Sequence, residues 1–196
     1  METRILDKQT LISKILEIEL HMFLTIPTQE KSNCQNYPES FKMHRHAQFF
    51  PWSVDTISSY LDDLQKAKEI GQNLMTHKYA RMDNLIPGRS TNPLIKRIID
   101  VQYKWQEEMF SKYPNIMRGA RPLSSTSDTY YKTSFETYLS SELETYSDTT
   151  LDFLYKDISN KRKNNINMAE EVYEYLVKAL GYKSLAEAER KNQHAP

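Results

Sequence analysis

Apolar positions along this chain recur three and four residues apart, and the alternation that marks a half-buried strand is nearly missing. The pattern predicts an all-α bundle of about seven to eight helices, in a single domain over residues 1–196. A first helix is expected over roughly Thr3 to Thr25, with Ile12, Ile15, Leu16, Met22 and Phe23 on one face. Pro27 and a polar run to Asn36 separate it from a second, whose first turn suits Pro38 behind Asn36 or Tyr37. Ser53 reads as the N-cap of a long third helix that stops near Gly71, with Ile57, Tyr60, Leu61, Leu64 and Ala67 on its apolar face. A fourth helix is expected over about Leu74 to Ile86, before Pro87-Gly88, and a fifth from Asn92-Pro93 to about Tyr113. The stretch Pro114 to Ser127, rich in Pro, Gly, Arg and Ser, reads as a loop. Tyr131 to about Lys161 reads as one long helix or two abutting ones, and Asn165 to Leu180 as another, with Gly181 in the C′ position. A capping-box pattern at Ser184-Leu185-Ala186-Glu187 starts a last short helix, and the tail after Arg190 is expected to fray.

The apolar stripes are interrupted by polar residues. Glu19 sits among Ile15, Leu16, Met22 and Phe23. Arg45 and Gln48 fall between Phe41 and Trp52, and Lys78 among Leu74, Met75 and Met82. Gln102 lies between Ile98, Ile99 and Trp105, and Glu142 between Tyr138, Leu139 and Tyr146. A buried unpaired charge costs several kcal/mol, so charges in a core are paired, hydrogen-bonded or functional. Five such intrusions predict a polar chamber inside the bundle.

A shift of 94 residues brings Ser53 onto Ser147, Thr56 onto Thr150, Asp63 onto Asp157 and Asn73 onto Asn167, with Gln48 opposite Glu142 and Trp52 opposite Tyr146. Helical periodicity alone produces partial matches of this kind. A true repeat would instead give two similar helical hairpins about a pseudo-twofold axis, with Gln48 and Glu142 facing each other.

Composition narrows the function classes. Lys plus Arg is 26 and Asp plus Glu is 26, a zero net charge that argues against nucleic acid and against an anionic membrane surface. Four glycines are too few for a Gly-rich phosphate loop, and the single Cys34 excludes an internal disulfide and a Cys-rich zinc site. No long uncharged apolar run occurs, and Asp7 and Lys8 interrupt any leader-like start, so a cytoplasmic location is expected. Thirteen Tyr, seven Phe and two Trp supply large core side chains.

Each candidate for chemistry has a bland counterpart. Glu19 and Glu142 are candidates for general acid and base, or the two acids pair with Arg45 and Lys78 to fix helix register. Asp63, at the edge of its stripe, can join either arrangement and stands as a third catalytic candidate. Arg45 and Lys78 suit an anionic group on a ligand, or snorkel and pair. Gln48, Tyr79, Gln102 and Tyr146 complete the ligand-binding candidates, although tyrosines so placed are more often core aromatics with a bonded hydroxyl. No Glu-x-x-His pair occurs and His44 and His46 diverge on a helix, so no cofactor is expected, with an unusual metal site as the weaker alternative. Cys34 lies in a polar loop with no sequence signature for a base beside it, and Lys161-Arg162-Lys163 reads as a solvated run.

Two blocks carry a resemblance. The first holds Cys34-Gln35, Pro38, Phe41, Arg45, Gln48, Trp52, Ser59-Tyr60, Asp63-Leu64, Ala67, Gly71, Asn73-Leu74 and Lys78-Tyr79-Ala80. The second holds Ser134-Phe135, Tyr138, Glu142-Leu143-Glu144-Thr145-Tyr146-Ser147 and Thr150-Leu151. Together, over about Ile12 to Tyr182, they resemble a family of uncharacterised bacterial proteins described as a domain of unknown function. In that family the domain can follow a nucleotidyltransferase-like domain. The resemblance therefore implies a helical partner or accessory to such an enzyme, with no reaction of its own specified. His21 departs from the aromatic residue expected at its place. From the residues themselves the leading expectation is a protein that binds a small polar or anionic metabolite in an internal pocket, with or without acid/base chemistry. A non-catalytic interaction module with a protein partner is the alternative.

Overall fold

A computed structural model of the chain describes residues 7–27, 36–88, 90–129 and 132–194. Ten α-helices and no strand occur among the described residues, somewhat more helices than the periodicity predicts. They are α1 (Lys8–Leu24), α2 (Pro38–Phe49), α3 (Val54–Glu69), α4 (Leu74–Met82), α5 (Pro93–Lys112), α6 (Pro114–Met117), α7 (Phe135–Leu143), α8 (Asp148–Lys163), α9 (Met168–Ala179) and α10 (Leu185–Lys191).

Local chemistry sets the boundaries. Asp7 is extended (ψ 157°) and accepts from the Thr10 backbone N–H, so α1 starts at Lys8; the expected start at Thr3 lies outside the described residues. Asn84 adopts φ 54° and Leu85 N–H donates to the Ala80 carbonyl, which ends α4 four residues before Ile86. Asn165 does the same for α8 (φ 55°, Ile166 N–H to the Lys161 carbonyl). It therefore closes that helix, and Asn167 caps the start of α9. Gly71 and Gly181 occupy the equivalent left-handed positions behind α3 and α9. The Ser147 side chain accepts from Thr150 N–H and splits the segment after Ser134 into α7 and α8. Short α6 and a 3₁₀ turn at Ser125–Ser127 lie within the stretch read as a loop, and a 3₁₀ turn at Asn192–His194 follows α10. Cys34 lies outside the described residues.

The helices α1, α2, α9, α5, α7 and α4 pack pairwise in a closed circuit, and α3 against α8 bridges from α1 to α5. The centre is aromatic. Phe49 meets Trp52 edge-on at 5.1 Å and lies 5.7 Å from Tyr60, and Tyr60 and Tyr146 lie 4.7 Å apart. Full burial of an apolar side chain contributes about 1.5–3 kcal/mol, so this cluster anchors the end of α2, the middle of α3 and the turn after α7 together.

The α3–α8 pair is reciprocal. Asp157 accepts from Ser53 N–H (2.8 Å) and Thr56 Oγ1 (2.6 Å) at the start of α3, and Asp63 accepts from Ser147 N–H (3.0 Å) and Thr150 Oγ1 (2.6 Å) at the start of α8. The same 94-residue shift relates all three pairs of residues, and Gln48 donates to Glu142 across it.

Candidate functional site

Four ionisable residues from four helices meet in the interior. Glu19 of α1, Arg45 of α2, Lys78 of α4 and Glu142 of α7 are 0, 4, 3 and 2 % exposed. The Arg45 guanidinium donates from Nε to Glu19 Oε2 (2.8 Å) and from Nη2 to Glu19 Oε1 (2.5 Å), a bidentate fork. Its Nη1 donates to Glu142 Oε1 (2.8 Å) and Gln48 Oε1 (2.6 Å). Lys78 Nζ donates to Glu142 Oε2 (2.7 Å). Two hydroxyls complete the shell: Tyr60 donates to Glu19 Oε1 (2.6 Å) and Tyr146 to Glu142 Oε1 (2.7 Å). Gln48 Nε2 adds a fourth bond to Glu142 (2.9 Å). The Gln48 amide is thereby oriented without ambiguity, with oxygen toward the guanidinium and nitrogen toward the carboxylate.

The group is two acids and two bases in the order Lys78, Glu142, Arg45, Glu19, neutral as a whole. Burial opposes the charges on Arg45, Lys78 and Glu142, and their oppositely charged neighbours overcome it. Arg45 and Lys78 hold the Glu142 carboxyl well below the usual carboxylate range. Glu142 and Glu19 in turn raise Arg45, and Glu142 raises Lys78. Burial, with the neighbouring carboxylate adding to it, pushes Tyr60 and Tyr146 far above an ordinary tyrosine, so both stay protonated donors. The cations also lie on aromatic faces, Arg45 on Phe49 (4.8 Å) and Lys78 on Tyr138 (3.9 Å).

Beside this network lies a cavity of about 480 Å³ bounded by α2, α5, α7, α8, α9 and the segment that runs on from α6. Gln48 and Tyr146 belong to both: their side chains hold Glu142 and also form cavity wall. The charged atoms of Glu19, Arg45, Lys78 and Glu142 stand behind that wall. The rest of the lining is mostly apolar, with Gln102 and Gln106 of α5, Tyr138, Tyr173 and, at the rim, His44 and Arg121.

The structure thus brings together Glu19, Arg45, Gln48, Lys78, Glu142 and Tyr146 from the sequence-predicted set. Gln102 lines the cavity away from the charges. Tyr79 stacks near Phe23 and lies 5.8 Å from the Lys78 ammonium, outside the cavity lining. Asp63 accepts from Ser147 and Thr150 at the start of α8 and bonds none of the four charged residues. Sequence reasoning passed over Gln106 and Arg121 as cavity residues. Gln106 follows Gln102 by one helical turn, a signal that was available. Arg121 sits in an irregular segment where periodicity is silent.

The model of the family described as Protein of unknown function (DUF4125) matches residues 9–190. The chain belongs to that family. The whole charged network and the whole cavity lining fall within the span that this DUF4125 domain covers. No curated protein and no solved structure matches the chain. Among the described residues no cluster of three or more His, Cys, Asp or Glu has the arrangement of a metal site, and no helix is long and apolar enough to cross a membrane.

Proposed function

We propose that this DUF4125 domain binds a small metabolite in the 480 Å³ cavity, and that the Lys78–Glu142–Arg45–Glu19 network is the frame that shapes one wall of it. The carrying observation is the shared wall: Gln48 and Tyr146 present cavity surface while fixed from behind by Glu142. The volume falls in the range of small-molecule sites, roughly 300–1,000 Å³, and a mostly apolar lining with a few directed polar groups is what such sites use.

Acid/base work by the network is disfavoured on physical grounds. Glu142 accepts four hydrogen bonds and is held ionised far below neutral pH, so it is a poor base and supplies no proton. An anionic ligand group finds Arg45 and Lys78 already neutralised. The paired core also suits an accessory module for a partner enzyme, the reading under which the cavity would stay empty.

The test is a thermal-shift screen of metabolites on the wild type and on Leu176→Trp, which fills the cavity from α9. A ligand at 100 times its dissociation constant stabilises by about 2.7 kcal/mol. A ligand that shifts the wild type and not the filled variant supports the reading. A silent screen, with a partner protein co-purifying, refutes it in favour of the module.

A further inference from the structure

Gln102 and Gln106 lie one turn apart on α5, half-buried, and both reach the cavity. Neither makes a hydrogen bond to another described residue, and neither amide is sealed from the cavity space. Two primary amides side by side in a mostly apolar lining each present both a donor and an acceptor, which an apolar ligand would strand and a ligand with matching polar groups would pair. Tyr138 and Phe135 of α7 and Tyr173 of α9 add aromatic surface to the same cavity. Among the described residues no acidic side chain lines it. Arg121, exposed at the rim and within electrostatic reach of Asp128, rests its guanidinium 4.7 Å from the Tyr138 ring centroid and, among the described residues, donates from Nη1 to the Thr133 carbonyl (3.0 Å). A guanidinium has five N–H donors, which leaves it able to meet an anion while still stacked.

Building on the cavity-binding reading above, we infer that the ligand is a flat heterocycle with a lactam edge, N–H beside C=O, and an anionic substituent. The lactam edge pairs with the Gln102 and Gln106 amides, donor to acceptor and acceptor to donor, as a carboxamide does with a base edge. The ring lies against the tyrosine and phenylalanine faces, and the anionic substituent points out toward Arg121. The absence of lining acids selects against a cationic ligand.

Calorimetric titration with guanosine 5′-monophosphate, uridine 5′-monophosphate, guanosine, naphthalene-2-sulfonate and decanoate tests this. Occupancy is followed independently by the indole N–H resonance of Trp52, which lines the cavity. At least one of the two nucleotides is expected to bind tenfold or more tightly than the sulfonate and decanoate. Gln102→Leu with Gln106→Leu should abolish that margin, and Arg121→Ala should reduce a nucleotide's advantage over guanosine by tenfold or more. If naphthalene-2-sulfonate or decanoate shifts Trp52 while both nucleotides stay silent, the heterocycle assignment fails and the binding cavity survives. Equal binding of nucleotide by the double leucine variant also overturns the assignment. Silence from all five probes, by heat and by resonance, overturns the assignment and counts against the cavity reading itself.

Discussion

Replacing Glu142 by Gln removes one negative charge from a buried, neutral group of four and leaves a net charge of +1 in the core. The geometry makes the change worse than loss of charge alone. Glu142 Oε1 accepts from Arg45, Gln48 and Tyr146, so a glutamine keeps its oxygen there and turns its amide N–H groups toward the Lys78 ammonium, donor against donor. Breaking a buried pair by removing one partner costs about 3–5 kcal/mol. For a chain of this size that is a fall in Tm of roughly 6–20 °C. Lys78→Met should cost a similar amount, because it leaves Glu142 and Glu19 sharing one guanidinium. The double variant restores neutrality, with Arg45 and Glu19 still joined by their fork. It should therefore be more stable than the sum of the single losses predicts, with a coupling of about 1–3 kcal/mol. Urea unfolding of the four proteins, with a common m-value, measures the cycle. A loss below about 1 kcal/mol for Glu142→Gln, or single losses that add within about 0.5 kcal/mol, refutes the claim that these charges act as one buried unit.

The network and the helix ends set four further expectations. Glu142 has its folded pKa depressed below the unfolded value of 4.5, so its contribution is present above that value and is lost as pH falls; acid unfolding of Glu142→Gln should be flatter below about pH 4.5 than that of the wild type. Lys78, Tyr60 and Tyr146 have raised folded pKa values, so their contributions are full below the unfolded values of 10.5, 10.0 and 10.0 and fade as pH rises past them; Tyr146→Phe should lose less stability than the wild type between pH 9 and the alkaline transition, read by circular dichroism. Asp63→Ala and Asp157→Ala should cost similar amounts, about 1–2 kcal/mol each by urea unfolding, because each strips the same two donors from a helix start, and a cost confined to one of them contradicts the equivalence. Gly181→Ala, at φ 90° with open space around the new Cβ, should cost about 1–2 kcal/mol in thermal unfolding from backbone strain alone.

Helical phase is enough to find Glu19, Arg45, Lys78 and Glu142, since an ionisable residue flanked at three and four positions by apolar ones has few places to go except inward. It says nothing about which of them touch, because that depends on the crossing of four helices. Asp63 shows where phase misleads. At the edge of its stripe it resembles a residue of the chamber, whereas its partner is the first turn of α8. The 94-residue shift already held the better clue, since it aligns Asp63 with Asp157 and Ser53 with Ser147, the two acceptors and the two N-cap serines that donate to them. The cavity itself was the least legible feature. Its wall draws on many separate segments, from α2 to α9, and a void is a property of how they fail to meet, which no periodicity records.

The exchanged caps of α3 and α8 also bear on how the chain assembles. Ser53 and Ser147 each depend on a carboxylate more than 80 residues away, carried by the other helix. Each serine caps its own helix, and docking of the counterpart adds the acceptor for that serine's N–H and for the nearby threonine hydroxyl, so a fragment cut between them lacks that acceptor. In hydrogen exchange the backbone amides at these two positions should open together, as one cooperative unit spanning both halves of the polypeptide.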